Sequence, residues 1–400
     1  MSAATASGPG PDVAPAIVLG GAGAALSITR SLGREGIPVY MLGNAGRSLA
    51  GASKYCTEFV DFGERDGQID AWLEWLRGAP AGSVVLPCGD AGIELVAGHS
   101  DELREWGLHP LQNAGEDSLA MLDKEATYAI AREADVPAPR TWRVATLEDL
   151  DAVAGELVYP CALKPLHSHR FAEHFSVKLF VAEDVGELRE ALEKTREHDL
   201  QMTITEIIPG SDDQVWGFCT FIDEQGEPLF ELTKRKLRSY PIHFGVGSYH
   251  MTSWDPAVAE MGMRFLRGAK LRGMANVEFK RDERDGSLKL IECNHRFMAS
   301  NETLRRAGVN VPLVAYRMAR GEPVTVGPWR SGVRLWFPSL DIRSASEMRA
   351  EGDLTWPRWV ASLVRWPLYM TVLSFDDLRP SFVNTARRAR NRSKALLGRG

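Results

Sequence analysis

Ala275-Asn276-Val277-Glu278-Phe279-Lys280, then Arg281 to Gly286, then Leu288-Lys289-Leu290-Ile291-Glu292-Cys293-Asn294 is the stretch that decides how this chain folds. Two short apolar-alternating runs flank Asp285-Gly286, a turn signal, so the segment predicts a β-hairpin. Opposite residues of an antiparallel pair keep a constant index sum. Glu278 and Glu292 then face each other across the pair, about 4.5–5.5 Å apart at Cβ. Asn294 lies two residues beyond Glu292 and shares its face. Like charges placed opposite each other repel unless a cation lies between them. Two carboxylates and an amide oxygen form a hard-oxygen set suited to Mg²⁺ (or Mn²⁺), which fills its remaining shell with phosphates and water. The plain alternative is a solvated face on an edge hairpin.

Working outward, the chain of 400 residues is long enough for two or three domains. Its start, Pro15 to Gly21, reads as strand and glycine turn. A helical pattern through Leu26, Ile28 and Leu32 follows, then a strand over 37–42. This β–turn–α–β unit predicts a parallel sheet. The turn lacks the third glycine of a dinucleotide fingerprint, and the second strand ends Leu42-Gly43-Asn44 with no acidic residue. Both absences disfavour an NAD site. Helices are predicted over 69–77 and 118–134, the second stopped by Val136-Pro137-Ala138-Pro139. Mixed strands and helices follow from 158 to 319, with strands at 158–164, 176–182, 201–207, 215–222 and 229–233. The predicted organisation is a leader without order (1–12), a Rossmann-like domain (13–110), a second α+β domain (111–325) and a Trp-rich C-terminal region (326–400).

Two lysines stand out upstream of the hairpin. Lys164 closes an apolar strand before Pro165, and Lys124 lies in the helix of 118–134. Each suits phosphate contact, and each taken alone reads more simply as a surface lysine. The order of Lys124, Val136-Pro137, Tyr159-Pro160 to Lys164-Pro165, Thr205-Glu206-Ile207-Ile208-Pro209-Gly210, Val277-Glu278-Phe279 and Ile291-Glu292-Cys293-Asn294-His295-Arg296 resembles the ATP-grasp superfamily. It looks most like the branch of carbamoyl-phosphate synthase large chains, biotin carboxylases and D-aspartate-type ligases. The likeness covers about residues 13–325. It implies an α/β and α+β architecture: a Rossmann-like pre-ATP-grasp domain, an ATP-grasp fold and a small C-terminal extension.

The same resemblance implies residue roles. Lys124 and Lys164 would hold ATP phosphates. Glu206, Ile207 and Ile208 would form the adenine hinge, and Asp213, or its neighbour Asp212, would bind ribose. Glu278, Glu292 and Asn294 would bind Mg²⁺, and Arg296 would stabilise the transferring phosphoryl group. The implied reaction is an ATP-dependent carboxylate–amine ligation through an acyl phosphate, on amino-acid-like substrates. A bicarbonate-using carboxylase-type enzyme and a non-catalytic ATP-binding module are the alternatives. Two departures stand out. The loop from Leu166 to His174 lacks the usual glycines, so Arg170 or its histidines would have to meet phosphate. His295 stands where proline is common. The run Thr233 to Arg238 reads either as a solvated edge strand or as a basic wall of the cleft. In the second reading Lys236 and Arg238 share a face turned toward a carboxylate substrate. Phe244 to Ser248 reads as a flexible loop near the acceptor.

Charge and cysteine usage bound the setting. Lys and Arg number 47 against 53 acidic residues, which disfavours a general nucleic-acid binder. Residues 379–400 hold seven basic residues and no acidic one, so the preceding 378 residues hold 40 basic and 53 acidic, a net of −13. Five scattered cysteines, the absence of a signal-like start and the absence of a long apolar run lead to the expectation of a cytoplasmic protein with reduced thiols. Five of the eleven tryptophans fall within 329–366. Trp359, Leu363 and Trp366 fit one helical face, which either packs on the body or touches a membrane surface weakly, aided by the basic tail. A solubilising tail without order is the other reading. A dimer is the working expectation for the assembly.

Overall fold

The computed structural model describes residues 13–397 except 22, 64–66, 112–115, 167–170, 172–173, 176 and 178. The first 12 residues, the Gly-Arg-Gly end, and His167, Ser168, His169, Arg170, Ala172 and Glu173 of the loop after Lys164 therefore lie outside the described residues.

Strands β1 (Ala16–Leu19), β2 (Val39–Gly43), β3 (Glu58–Asp61), β4 (Val84–Pro87) and β5 (His109–Pro110) form a parallel sheet in the order β3-β2-β1-β4-β5. β1 reads Ala-Ile-Val-Leu and is buried throughout, the pattern of a parallel strand covered on both faces. β3 has no counterpart in the sequence reading. A second sheet holds β6 (Thr141–Val144), β7 (Cys161–Pro165), β8 (Phe180–Ala182) and β9 (Met202–Glu206), antiparallel in the order β6-β9-β7-β8.

The third sheet has seven strands: β10 (Val215–Ile222), β11 (Pro228–Tyr240), β12 (Val246–Thr252), β13 (Gly273–Arg281), β14 (Leu288–Asn294), β15 (Arg334–Trp336) and β16 (Leu368–Met370). Their order is β14-β13-β10-β11-β12-β15-β16. The parallel entry sheet and the two antiparallel sheets, the larger with one parallel pair at β15–β16, agree with the fold class read from sequence. Strands β15 and β16 come from the region read as a C-terminal addition, yet they extend this same sheet. The entry sheet and the large sheet also share one core, in which Ala16, Val18 and Leu86 pack in a cluster with Phe221, Leu232, Phe297 and Leu304.

Several sequence expectations are corrected. The single helix over 118–134 is two, Glu116–Ala120 and Lys124–Glu133. Asp123 breaks it by capping the second, its carboxylate accepting from the amides of Glu125 and Ala126. Lys124 is thus the first residue of a helix. The basic run is not an edge strand, because β11 lies between β10 and β12 in the middle of the sheet. Phe244 and Gly245 precede β12, but Val246, Gly247 and Ser248 lie within it, so the expected loop is mostly strand. Trp366 does not share a helical face with Trp359, since that helix is Trp356–Leu363. The basic tail is helical over Arg379–Leu397.

Candidate active site

The hairpin register is the one the index sum predicts. Glu278 pairs with Glu292, Val277 with Cys293 and Asn276 with Asn294. A bulge at Ile291 follows, after which Phe279 pairs with Leu290. Gly217 of β10 pairs with Glu278 on one side and Lys234 of β11 on the other. Cross-strand partners share a face, so Glu292, Glu278, Gly217 and Lys234 form one row across four strands. Gly217 is the gap in that row. A Cβ there would lie 2.8 Å from Lys234 Cε and 2.9 Å from Asn276 Oδ1.

Side chains converge on this row. Lys236 Nζ donates to Glu278 Oε2 at 3.2 Å, and Asn276 Nδ2 donates to Glu278 Oε1 at 3.2 Å. Burial alone would raise the Glu278 carboxyl, but Lys236 and Lys234 outweigh it and hold the group below its ordinary range. Burial likewise opposes the Lys236 ammonium, and Glu278 and Glu292 hold it above its ordinary value. Asn294 Nδ2 donates to Glu292 Oε1 at 2.7 Å. His250, opposite Lys236 on β12, is buried; burial, then Lys234 and Lys236, push its ring down to about 3, so it is neutral at working pH. Its Nδ1 is buried with no hydrogen-bond partner.

From the facing sheet, β7 brings in Lys164. Burial, then the like charge of Lys124, pushes its ammonium down to about 7, against the pull of Glu292. Lys124 and Glu292 are therefore each close enough to act on Lys164. The helix Lys124–Glu133 is tied beneath the hairpin by Tyr128 Oη, which donates to the Ile291 carbonyl at 2.9 Å.

Of the residues read as a hinge, Glu206 ends β9 and Ile207 and Ile208 follow it. The Glu206 carboxylate is engaged at both oxygens, accepting from Arg284 Nη2 at 2.6 Å and from the Arg140 amide at 3.1 Å. Ile207 is half-buried and Ile208 is buried. Asp213 accepts from Ser211 Oγ at 2.7 Å and pairs with Arg235 at 2.8 Å. Asp212 is buried, accepts from the His243 amide at 3.0 Å and leaves Oδ2 without a partner.

One expectation does not fit the geometry. Arg238 does not line the cleft with Lys236. A bulge at Leu237 shifts the register, so Lys236 pairs with His250 but Arg238 with Tyr249, the next residue, which faces the other side. There its guanidinium forks onto buried Asp341 at 2.7 and 2.8 Å. Arg296, expected near the transferring phosphoryl group, pairs with Asp90, its Nε 2.7 Å from Oδ1, at the start of the helix Asp90–Glu105 of the entry domain. His295, in the place where proline is common, secures the turn instead through its buried ring, with Nε2 2.7 Å from the Arg272 carbonyl.

Sequence reasoning missed Lys234, His250, Asn276 and Arg284. Lys234 was legible, because a strand puts it on the face of Lys236. Asn276 was legible in the same way, two residues before Glu278 on one strand, whereas His250 and Arg284 depend on contacts between distant segments.

Among the described residues, no cluster of three His, Cys, Asp or Glu side chains suits a metal. The donor set that does fit a hard cation is Glu278 and Glu292 with the Asn294 amide, the remaining ligands coming from nucleotide and water.

No family model matches the chain. It is 28% identical to the D-aspartate ligase of Enterococcus faecium over 246 residues, 57% of this chain and little more than half (56%) of that protein's length. It is 23% identical to a D-alanine–D-alanine ligase of Acinetobacter baumannii over 302 residues, 70% of this chain and 84% of that one. Among solved structures, an N5-carboxyaminoimidazole ribonucleotide synthetase in complex with ADP superposes with a TM-score of 0.62 at 12% identity, covering 80% of each chain. The biotin carboxylase domain of a Hydrogenobacter thermophilus 2-oxoglutarate carboxylase, with MgADP and bicarbonate, gives 0.61 at 17%, covering 80% of this chain and 73% of that one. An L-amino acid ligase of Bacillus licheniformis gives 0.60 at 17%, covering 78% and 77%. With its parallel entry sheet and two largely antiparallel sheets, the chain has the fold of the ATP-grasp structures.

Proposed function

We propose that this chain is an ATP-dependent carboxylate–amine ligase with amino-acid-like substrates. The observation that carries this reading is the carboxylate row, Glu278 opposite Glu292, with Lys236 seated on Glu278 and Lys164 within reach of both Glu292 and Lys124. Acidic oxygens suited to a divalent cation and cations suited to phosphate thus lie near one another. The ligases of D-aspartate and D-alanine among its relatives favour amino-acid substrates.

In this reading the substrate carboxylate attacks the γ-phosphorus of ATP, ADP leaves, and an amine displaces phosphate from the resulting acyl phosphate. Mg²⁺ bound at Glu278, Glu292 and Asn294 would supply charge neutralisation for the phosphates. Lys124 and Lys164 orient the nucleotide, Glu206 to Ile208 edge the adenine pocket, and Asp212 or Asp213 meets the ribose. Arg296 would have to leave Asp90 or carry it along to approach the phosphoryl group. The chemistry asked of the protein is positioning and electrostatics.

The test is ADP release across a panel of amino acids, with hydroxylamine present to trap an acyl phosphate as hydroxamate. Substrate-dependent ADP together with hydroxamate is expected, and Glu292→Ala should abolish both while leaving thermal unfolding close to wild type. ADP release that depends on bicarbonate and not on an amino acid would overturn the reading in favour of a carboxylase. ATP binding without ADP release under any condition would leave only a binding module.

A further inference from the structure

Residues 371–397 take no part in the cleft, yet the fold fixes them firmly. Asp377 is buried and accepts from Arg30 Nε at 2.9 Å, Ser53 Oγ at 2.6 Å and the Lys54 amide at 3.1 Å. Asp376 accepts from Arg34 Nε at 2.7 Å and Tyr55 Oη at 3.0 Å. Both acids of the segment are thus matched by entry-domain donors. The helix Arg379–Leu397 follows, held by Arg387, which donates to the Ser48 and Ala45 carbonyls at 3.0 and 2.6 Å. Pro380, Val383, Asn384 and Arg387 are buried or half-buried and mark its inner side.

The outer side has a different character. Arg379, Phe382, Ala386 and Arg390 recur at helical spacing, and all are exposed. Phe382 is 70% exposed, and Phe375, just before the helix, is 89% exposed. From 379 onward the sequence holds seven basic residues and no acidic one, against a net of −13 for the rest of the chain. Phe382, left in water on the arginine face of a helix pinned from behind, and exposed Phe375 four residues before that helix form a presented surface.

We propose that this C-terminal helix docks the protein on an anionic lipid membrane. No helix among the described residues is long and apolar enough to cross a bilayer, so the helix would lie in the interface plane. Its arginines would meet headgroup phosphates and Phe375 and Phe382 would enter the acyl boundary. The acidic remainder repels such a surface, which orients the molecule helix-first. An acidic protein or a nucleic acid would match the arginines. The two exposed phenyl rings beside them favour the lipid boundary. The proposal is independent of the ligase reading.

The experiment is co-sedimentation of the full chain with phosphatidylcholine–phosphatidylglycerol vesicles and with pure phosphatidylcholine vesicles. Pelleting with the anionic vesicles only, weakening as salt rises, is expected. Arg379→Gln and Arg390→Gln should each lower partitioning roughly fivefold. Phe375→Ser combined with Phe382→Ser should lower it roughly tenfold. Because these side chains point into solvent, thermal midpoints should not move, which separates lost docking from lost fold. Absence of pelleting, equal pelleting with neutral vesicles, or pelleting untouched by both sets of substitutions would overturn the proposal. So would binding to duplex DNA or polyglutamate without binding to vesicles.

Discussion

Lys164 is the last but one residue of a strand whose first three residues, Cys161, Ala162 and Leu163, are fully buried, and it carries an ammonium into that setting. Burial and Lys124 bring its pKa from 10.5 down to about 7. In the unfolded chain the group keeps its ordinary value. Below pH 7 both states are protonated, and the folded state bears the full cost of the buried charge. Between pH 7 and 10.5 the unfolded chain binds the extra proton, so this group's contribution to stability becomes more favourable as pH rises through that window. Lys164→Met should therefore raise the thermal midpoint of the metal- and nucleotide-free protein more at pH 6 than at pH 9. An equal gain at both values would mean that Lys164 is not depressed. The sequence marks Lys164 through the apolar strand and Pro165. It does not disclose the depression, which needs Lys124 from a separate helix and Glu292 from the hairpin.

Strand register converts this composition into a site. The hairpin was legible because two alternating runs around Asp285-Gly286 leave one sensible pairing, and a slip of one residue would turn Glu278 away from Glu292. Arg238 was misplaced because nothing in Lys236-Leu237-Arg238 announces a bulge, and the partner that holds it, Asp341, is 103 residues away. The central position of β11 was hidden for a similar reason, since β15 and β16 join the sheet from beyond residue 330. The gap at Gly217 is equally silent in sequence, where a strand glycine marks only a close approach. It gives a direct test. Gly217→Ala would press a methyl group against Lys234 and Asn276, the latter already bonded to Glu278 and to Cys219. The expected cost is about 1–3 kcal/mol in stability, and a roughly 10–100-fold loss of ADP release from the displaced Glu278. Chemical denaturation and steady-state assays read the two effects separately. Unchanged turnover would show that the row tolerates the shift.

Across the whole molecule, the C-terminal region works as a strap that closes the large sheet and returns to the entry domain. Its fastening on the sheet side is Asp341, fully buried in the helix Pro338–Glu351. That one carboxylate receives the Arg238 fork, Ser248 Oγ at 3.0 Å, and the indole N–H groups of Trp336 and Trp359 at 2.9 and 2.8 Å. The Trp-rich composition thus acquires a structural use in which two of the five tryptophans serve as donors to one buried acid. Arg238 also lies over the Tyr249 ring at 4.5 Å, and Tyr249 Oη donates to the Ser362 carbonyl at 2.7 Å. Removing the acid alone leaves a buried guanidinium and two indole donors without a counterpart. Asp341→Ala should therefore cost about 3–5 kcal/mol, whereas Arg238→Met combined with Asp341→Leu should recover much of that loss, because neither charge remains to be desolvated. Denaturant titration of both variants checks the pair. Hydrogen exchange over 356–370 should quicken in Asp341→Ala first, ahead of the hairpin, if the strap is fastened at this residue. Uniform quickening across the large sheet would instead make Asp341 part of one cooperative core.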